Sequence, residues 1–317
     1  MFYLTEDLTA AVTLRTLAPS SQTTFQTSDL IQICNDEMQL KLVSDIQSIR
    51  EDFFLNYSDQ AIVGNQNAYY VPNRAIGNSL KAVAYVDSQG NEFAPLNRVP
   101  VDRAYIYGNQ SNSTPQAFTV RADQIILLPK PSAGGGTIRQ YFSQRPNQLV
   151  ATTSCAKITG VTTTGGNTSL TVNTDLTASL TVASTVDFLR AKSPFMLWAY
   201  DVPIISISST TIIVSATLVS DANAAVLPTI GDYICPAGQA NIPQVPQEFH
   251  PVLAQMGACR ILAALGDLNK LQAANAELKE VRREAVKLIK NRVDSAPEKV
   301  DTRGSLMGRI GNRYGLR

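Results

Sequence analysis

The chain has 317 residues, 44% of them hydrophobic, and its 27 basic and 26 acidic residues leave a net charge of +1. That length and apolar content suffice for one large core or for two to three ordinary domains. A charge so near zero removes any general electrostatic drive toward nucleic acid or membrane, so contact with a polyanion has to be local.

The opening stretch MFYLTEDLTAAVTLRTLAP carries Glu6 and Asp7 where a secretory signal carries positive charge, and it has no compact apolar region before a small-residue cleavage site. It is read as the start of a chain made and kept in a cytosol. No window approaches the roughly 18 continuous apolar residues of a membrane span. Residues 1–27 are taken as an N-terminal extension. From Ser28, read as an N-cap, the apolar residues Leu30, Cys34, Met38, Leu42, Ile46, Ile49 and Phe53 recur every three or four positions, which predicts one helix or two consecutive ones.

Between residues 60 and 145 the pattern changes to short β-favouring runs, QAIV, LKAVAYV, AFTV, QIILLP and TIRQYF, split by Gly, Pro, Asn and Asp. They predict a small antiparallel sheet, with a hairpin turn at Asp87–Asn91. Gly134, Gly135 and Gly136 precede TIRQYF, a β-branched and aromatic run, whereas a phosphate loop leads into a helix N-terminus. The glycines are therefore read as a turn between two strands of that sheet, with Pro129 and Pro131 ahead of it.

Residues 155–238 are rich in Ser and Thr and poor in charge, and SLTVNT, SLTVAS, PIISISS and TIIVSATLV read as strands of a separate all-β unit. The matching pieces TSLTVNTDLT and ASLTVASTVD fit successive strands but are too short to establish a repeat. Trp198 is its one large apolar anchor, read as core with an exposed recognition patch as the other option. The four cysteines, Cys34, Cys155, Cys235 and Cys259, show no CxxC spacing and are read as buried reduced thiols. Cys155 and Cys235, at the two ends of the β unit, are candidates to lie close together at its base, with a disulfide as the minority reading.

After ANIPQVPQEFHP the helical period returns. Phe249, Leu253, Met256, Cys259 and Leu262 share a face, Gly266 is a C-cap and Asp267 the next N-cap. The following helix carries Leu271, Ala274, Leu278, Val281, Ala285 and Leu288 at strict three-four spacing, a narrow seam for core or oligomer packing. The short loop makes the two helices an antiparallel pair. The last segment, 294–317, has too much Gly and charge for a packed helix. From Thr302 on, Arg303, Arg309, Arg313 and Arg317 alternate with Leu306, Met307, Ile310, Tyr314 and Leu316, and no acid intervenes. This pattern is read as an arm that orders on docking to an acidic, grooved partner, against the ordinary reading of a frayed tail.

Chemistry is hard to place. His250, the only histidine, precedes Pro251 at a helix start and is read as a helix-start contact or a surface residue, not a base. The pairs Asp36/Glu37 and Glu51/Asp52 sit on predicted helices, where neighbours point about 100° apart, and are read as solvated face residues. Tyr69, Tyr70, Tyr105, Tyr107 and Tyr141 lack an interleaved basic patch and are assigned to core or interface. No phosphate loop, dinucleotide fingerprint, nucleophile elbow, metal site or cofactor motif is present. The chain reads as a non-enzymatic assembly part.

The expected fold is α+β: N- and C-terminal helices form a bundle with the small sheet (residues 28–154 and 239–293), interrupted by the inserted all-β domain 155–238 and followed by the C-terminal arm. In that order the runs SDLIQICNDEMQLKLVSDIQSIREDFF, YYVPNRAIGNSLKAVAYVD, AFTVRADQIILLPKPSAGGGTIRQYFSQRPNQLV and IPQVPQEFHPVLAQMGACRILAALGD resemble the head-to-tail adaptor (connector) proteins of tailed, chiefly short-tailed, bacteriophages. The resemblance covers residues 25–150 and 242–293. It implies a virion protein, assembled in the host cytoplasm, whose copies form a ring, expected to be twelvefold, beneath the portal vertex. One face then binds portal, the other receives a tail tube or nozzle, and packaged DNA crosses the lumen without sequence-specific binding. It also implies that the arm reaches portal through Arg303, Leu306, Met307, Arg309, Ile310, Arg313, Tyr314 and Arg317. The β insertion is larger than the family core requires, and tail fibres or another ring are its candidate partners. The alternatives are a tail-tube or fibre-type protein and, more remotely, a cell-wall glycan hydrolase.

Overall fold

The computed structural model describes residues 3–16, 24–108, 114–215 and 228–289. The protein is a mixed α+β structure that includes a closed six-stranded barrel. Helix α1 spans Thr5–Thr16, inside the stretch read from sequence as an extension. Its threonines would weaken an isolated helix, but Thr9, Thr13 and Thr16 turn their hydroxyls back onto carbonyls three or four residues earlier, which satisfies them within the helix. Leu8 and Val12, one turn apart, are fully buried.

Helix α2 (Thr27–Glu37) runs through a π turn at Met38–Leu42 into α3 (Val43–Ile49). Its cap is not Ser28: the helix begins one residue earlier, and the Asp29 carboxylate accepts the Gln26 N–H at 2.9 Å. Cys34, Met38, Leu42 and Ile46 are buried as the spacing predicts.

Strands β1 (Leu55–Ala61), β2 (Ala68–Tyr70), β3 (Ala75–Val86) and β4 (Asn97–Arg98) follow. After the short helix α4 (Tyr105–Gly108) come β5 (Ala117–Arg121), β6 (Gln124–Leu128), β7 (Thr137–Gln144) and β8 (Gln148–Leu149). Strands β1 to β7 make two sheets, not one: β1-β7-β3, and β2-β6-β5-β4, in which β4 runs parallel to β5. The expected turn at Asp87–Asn91 is present, with Asp87 Oδ1 accepting the N–H groups of Gln89 and Asn91 at 2.8 Å each. The three glycines do not close a hairpin. They carry the chain from β6 in one sheet to β7 in the other, and Ile62 N–H donates to Gly136 O at 3.0 Å.

The barrel takes β9 (Ala156–Thr164), β10 (Asn167–Val172), β11 (Thr185–Leu189), β12 (Leu197–Ser208), β13 (Thr211–Ser215) and β14 (Tyr233–Pro236), paired antiparallel throughout and closed by β9 against β10. Alternate residues such as Ile158, Leu170, Phe188, Ile204, Ile212 and Val214 fill its interior while most Ser and Thr face outward, the buried Thr168 excepted. The run SLTVAS, expected to be a strand, forms turns instead. Leu176 and Leu180 pack into the barrel core from this segment, where Leu180 N–H bonds Leu176 O. Asp175 favours that turn by accepting the Thr177 N–H at 2.9 Å.

Cys155 and Cys235 are joined as a disulfide at the base of the barrel, their Cα atoms 4.5 Å apart, which corrects the reading of four free thiols; Cys34 and Cys259 remain free and buried. Beside the disulfide, β15 (Gln239–Ala240) pairs in parallel with β8, so the strands leading into and out of the barrel lie together. Asn35 binds this strap to α2, its amide donating to Leu149 O at 2.9 Å and accepting from Leu149 N–H at 2.6 Å.

Helix α5 (His250–Leu265) is buried almost all round, where the sequence suggested a single apolar face. It packs against α1, α2 and α6 (Leu268–Ile289), so the helices from both ends of the chain share one core. Gly257 allows this close approach: a Cβ there would meet Val12 Cγ2 at 3.2 Å and Cys34 Sγ at 3.3 Å. Gly266 ends the helix and Asp267 caps the next, accepting the Lys270 N–H at 3.1 Å, both as expected.

Candidate functional site

Residues with chemical capacity are held in three places. The first is His250, which is fully buried. Its Nδ1 accepts the Tyr3 N–H at 3.0 Å, which leaves the proton on Nε2, directed at Val245 O at 3.3 Å. Both nitrogens therefore tie chain segments together at a helix start. Burial pushes its pKa down to about 4. The unfolded chain takes up a proton near the ordinary value of about 6.5 while the folded chain refuses it until about 4, so stability falls as pH drops through that window. Comparing urea midpoints at pH 7 and pH 4.5, the wild type is expected to lose roughly 2–3 kcal/mol more than His250→Gln. Equal losses would assign the acid sensitivity to other groups.

The second place is the joint between the barrel and the rest of the chain. Arg74, in the turn before β3, sends Nη2 to Asp201 Oδ1 at 2.6 Å and to Asp187 Oδ1 at 3.1 Å, and Nη1 to Asn147 Oδ1 at 2.8 Å. The fully buried Asp187 on β11 also accepts from Asn147 Nδ2 at 2.6 Å, Gly238 N–H at 2.8 Å and Asp201 N–H at 2.9 Å. Asp201 reaches Arg74 because β12 bulges there, with Asp201 at φ 54. Burial pushes the Asp187 carboxyl above its ordinary value, against the pull of Arg74. A carboxylate with that many fixed donors holds position and has little freedom to move protons.

The third is a groove of about 550 Å³ between the π turn, α3, α5 and α6. Its floor is apolar, from Met256, Cys259, Leu271 and Leu278, and Leu40 on the π turn stands 77% exposed at its mouth. Glu37, expected on a solvated face, is buried and paired with Lys41 at 2.6 Å, and Asp45 is paired with Arg282 at 2.5 Å. Arg260 has no carboxylate partner among the described residues.

Of the residues proposed for the α6 seam, Leu271, Leu278 and Val281 are partly buried against the helical core, whereas Leu288 is 59% exposed and Ile289 takes the inward position. A helix of 3.6 residues per turn drifts away from a strict seven-residue repeat, which explains the substitution. The proposed portal contacts Arg303, Leu306, Met307, Arg309, Ile310, Arg313, Tyr314 and Arg317 lie outside the described residues. Asp36, Glu51 and Asp52 are exposed, Tyr69 is core, and Tyr70 and Tyr105 are exposed. Trp198 stacks on Phe188, ring centroids 5.0 Å apart. Sequence reasoning missed the Arg74 joint, since its members come from five distant segments and only the isolated acids of the β unit hinted at it.

The described residues thus define a mixed α+β protein whose buried charges are paired or hydrogen-bonded and whose surface carries the helical groove and a shallower depression of about 640 Å³ between α1 and α2. Among them no group of His, Cys, Asp and Glu is placed to hold a metal, and no described helix is long and apolar enough to cross a membrane. No protein family matches the chain, and no curated protein is significantly similar to it.

Proposed function

We propose that this protein is a structural component of a phage virion, a head-to-tail adaptor whose copies form a ring between the portal vertex and the tail. The observation that carries the reading is the shared core of α1, α2, α5 and α6, which leaves an open groove and the exposed leucines Leu14, Leu40 and Leu268 on its outside. A ring needs two different faces on each copy, apolar enough to gain from leaving water. The adaptor-like order of the sequence runs supplies the rest: a scaffold of helices and small sheets, an inserted all-β domain at 155–238 and an arm from 294 that clasps portal. The side chains hold structure here and the function is not enzymatic. The barrel is closed, so it offers no free strand edge for polymerisation by strand pairing, which weakens the tail-tube or fibre alternative.

Deleting residues 302–317 is expected to leave a folded body with an unchanged urea midpoint and to abolish binding to the portal ring of the same virus. Undiminished binding by the truncated chain, read by co-sedimentation, would overturn the assignment of the arm. Electron images of the purified full chain are expected to show flat rings with an open lumen; rods or spikes would favour the alternative.

A further inference from the structure

We infer that the groove between the π turn, α5 and α6 receives the outer face of helix α1 from a second copy of this chain. The inference rests on the ring reading above and names the surfaces that close it. The groove's two acids are already paired, Glu37 with Lys41 and Asp45 with Arg282, so Arg260 is left as its surplus charge. An occupant must therefore bring an acid as well as an apolar knob. The arginine-rich segment after Thr302 has apolar residues to offer but no acid, so it fails the electrostatic condition.

Helix α1 meets both. Its inner residues Leu8 and Val12 are consumed by the core, and its outer stripe is Glu6, Ala10 and Leu14, four residues apart and all exposed, with Leu14 at 74%. The stripe forms one wall of an open depression whose other side is Thr27 and Leu30 of α2, so the next copy's groove rim has to enter that depression as α1 is seated. Glu6 makes no ion pair among the described residues. The stripe offers anchors at i, i+4 and i+8, the pattern of a helix laid into a groove, and the small Ala10 permits close approach. Leu14 fits the apolar floor beside Leu40, Leu271 and Leu278, with Glu6 directed to Arg260. No residue lining the groove belongs to α1, so donor and acceptor surfaces are separate parts of the molecule. Contact of one copy's α1 with the next copy's groove is therefore heterologous and repeats around a ring. The π turn has a part in this, because it places Leu40 at the groove mouth and not in the core.

The test uses full chains carrying Leu14→Asp or Leu40→Asp, both at exposed positions, with circular dichroism and urea midpoints as folding controls. Each variant alone is expected to assemble at least about thirtyfold more weakly than the wild type in sedimentation or native mass. An equimolar mixture is expected to give a dimer and nothing larger, because the Leu14→Asp chain keeps an intact groove and the Leu40→Asp chain an intact α1. Glu6→Arg is expected to weaken assembly and Arg260→Glu in the same chain to restore it. Variants that assemble like the wild type, or a mixture that stays monomeric, would overturn this interface while leaving the adaptor reading standing. A wild-type chain that never assembles, alone or on portal, would overturn both.

Discussion

Replacing Asp187 with alanine is expected to lower the unfolding free energy by about 3–5 kcal/mol, the range for removing one member of a buried, hydrogen-bonded charge pair. The carboxylate is fully buried, and its loss leaves the N–H groups of Gly238 and Asp201 without their acceptor, takes one of two carboxylates from Arg74 and leaves Asn147 Nδ2 with Gln239 O alone. Asp201→Ala serves as the comparison, because Asp201 also binds Arg74 but its side chain is 40% exposed, so water replaces much of what is lost and the expected cost is about 1 kcal/mol. Urea unfolding of both variants measures the contrast. If Asp187→Ala proved no worse than Asp201→Ala, the joint would not be the electrostatic fastening described here. Because the same residues come from the sheet, the strap and the barrel, the larger loss is also expected to loosen the barrel relative to the helices, seen as faster amide exchange at Asn147 and Gly238.

Gly136→Ala is expected to cost about 2–4 kcal/mol. Gly136 has φ +75, and a Cβ there would lie 2.9 Å from the Tyr85 ring and overlap the carbonyl oxygen of Val86, a backbone atom that cannot turn aside. Its neighbour Gly135 also has a positive φ, 137, but open space around it, so Gly135→Ala carries the conformational penalty alone, about 1–3 kcal/mol, without the clash that Gly136→Ala adds to its own. A thermal or urea comparison separates the two. Equal losses would mean that the crossing between the two sheets has room that the geometry denies.

The same glycines show how far the sequence could be read. That they lead into a strand, not a helix, was legible from the β-branched run TIRQYF, and it removed the phosphate-loop reading. That the strand belongs to a different sheet was not legible, because strand runs state local preference while sheet membership depends on partners such as Leu55–Ala61 far away in the chain. The helix at Thr5–Thr16 was missed for a related reason. Its threonines carry poor intrinsic helix propensity, and its stability comes from Leu8 and Val12 packing on α5, a contact across about 240 positions of sequence. SLTVAS failed in the opposite direction, since good strand residues were overruled by the turn that Asp175 begins and by the space at the barrel end that Leu176 and Leu180 fill.

The candidate groove divides along the same line. The inward stripe of α6 was visible as a repeat, down to Ala285, because side-chain period follows from helix geometry alone. Leu40 was not singled out, because no local pattern announces the π turn that carries it, and Glu37, the last residue of α2, was placed on a solvated face because its burial beside Lys41 at the groove depends on the packing of distant helices.

By itself the sequence determined the helical segments at 28–49 and after residue 249, most of the strand runs between them, and the caps at Gly266 and Asp267, because periodicity, capping and residue chemistry act over a few neighbouring residues. Only the tertiary structure decided that six strands close into a barrel, that Cys155 meets Cys235, and that Arg74 is fixed by Asp187, Asp201 and Asn147. Those outcomes depend on which surfaces meet when apolar area leaves water, a property of the whole chain that no local window contains.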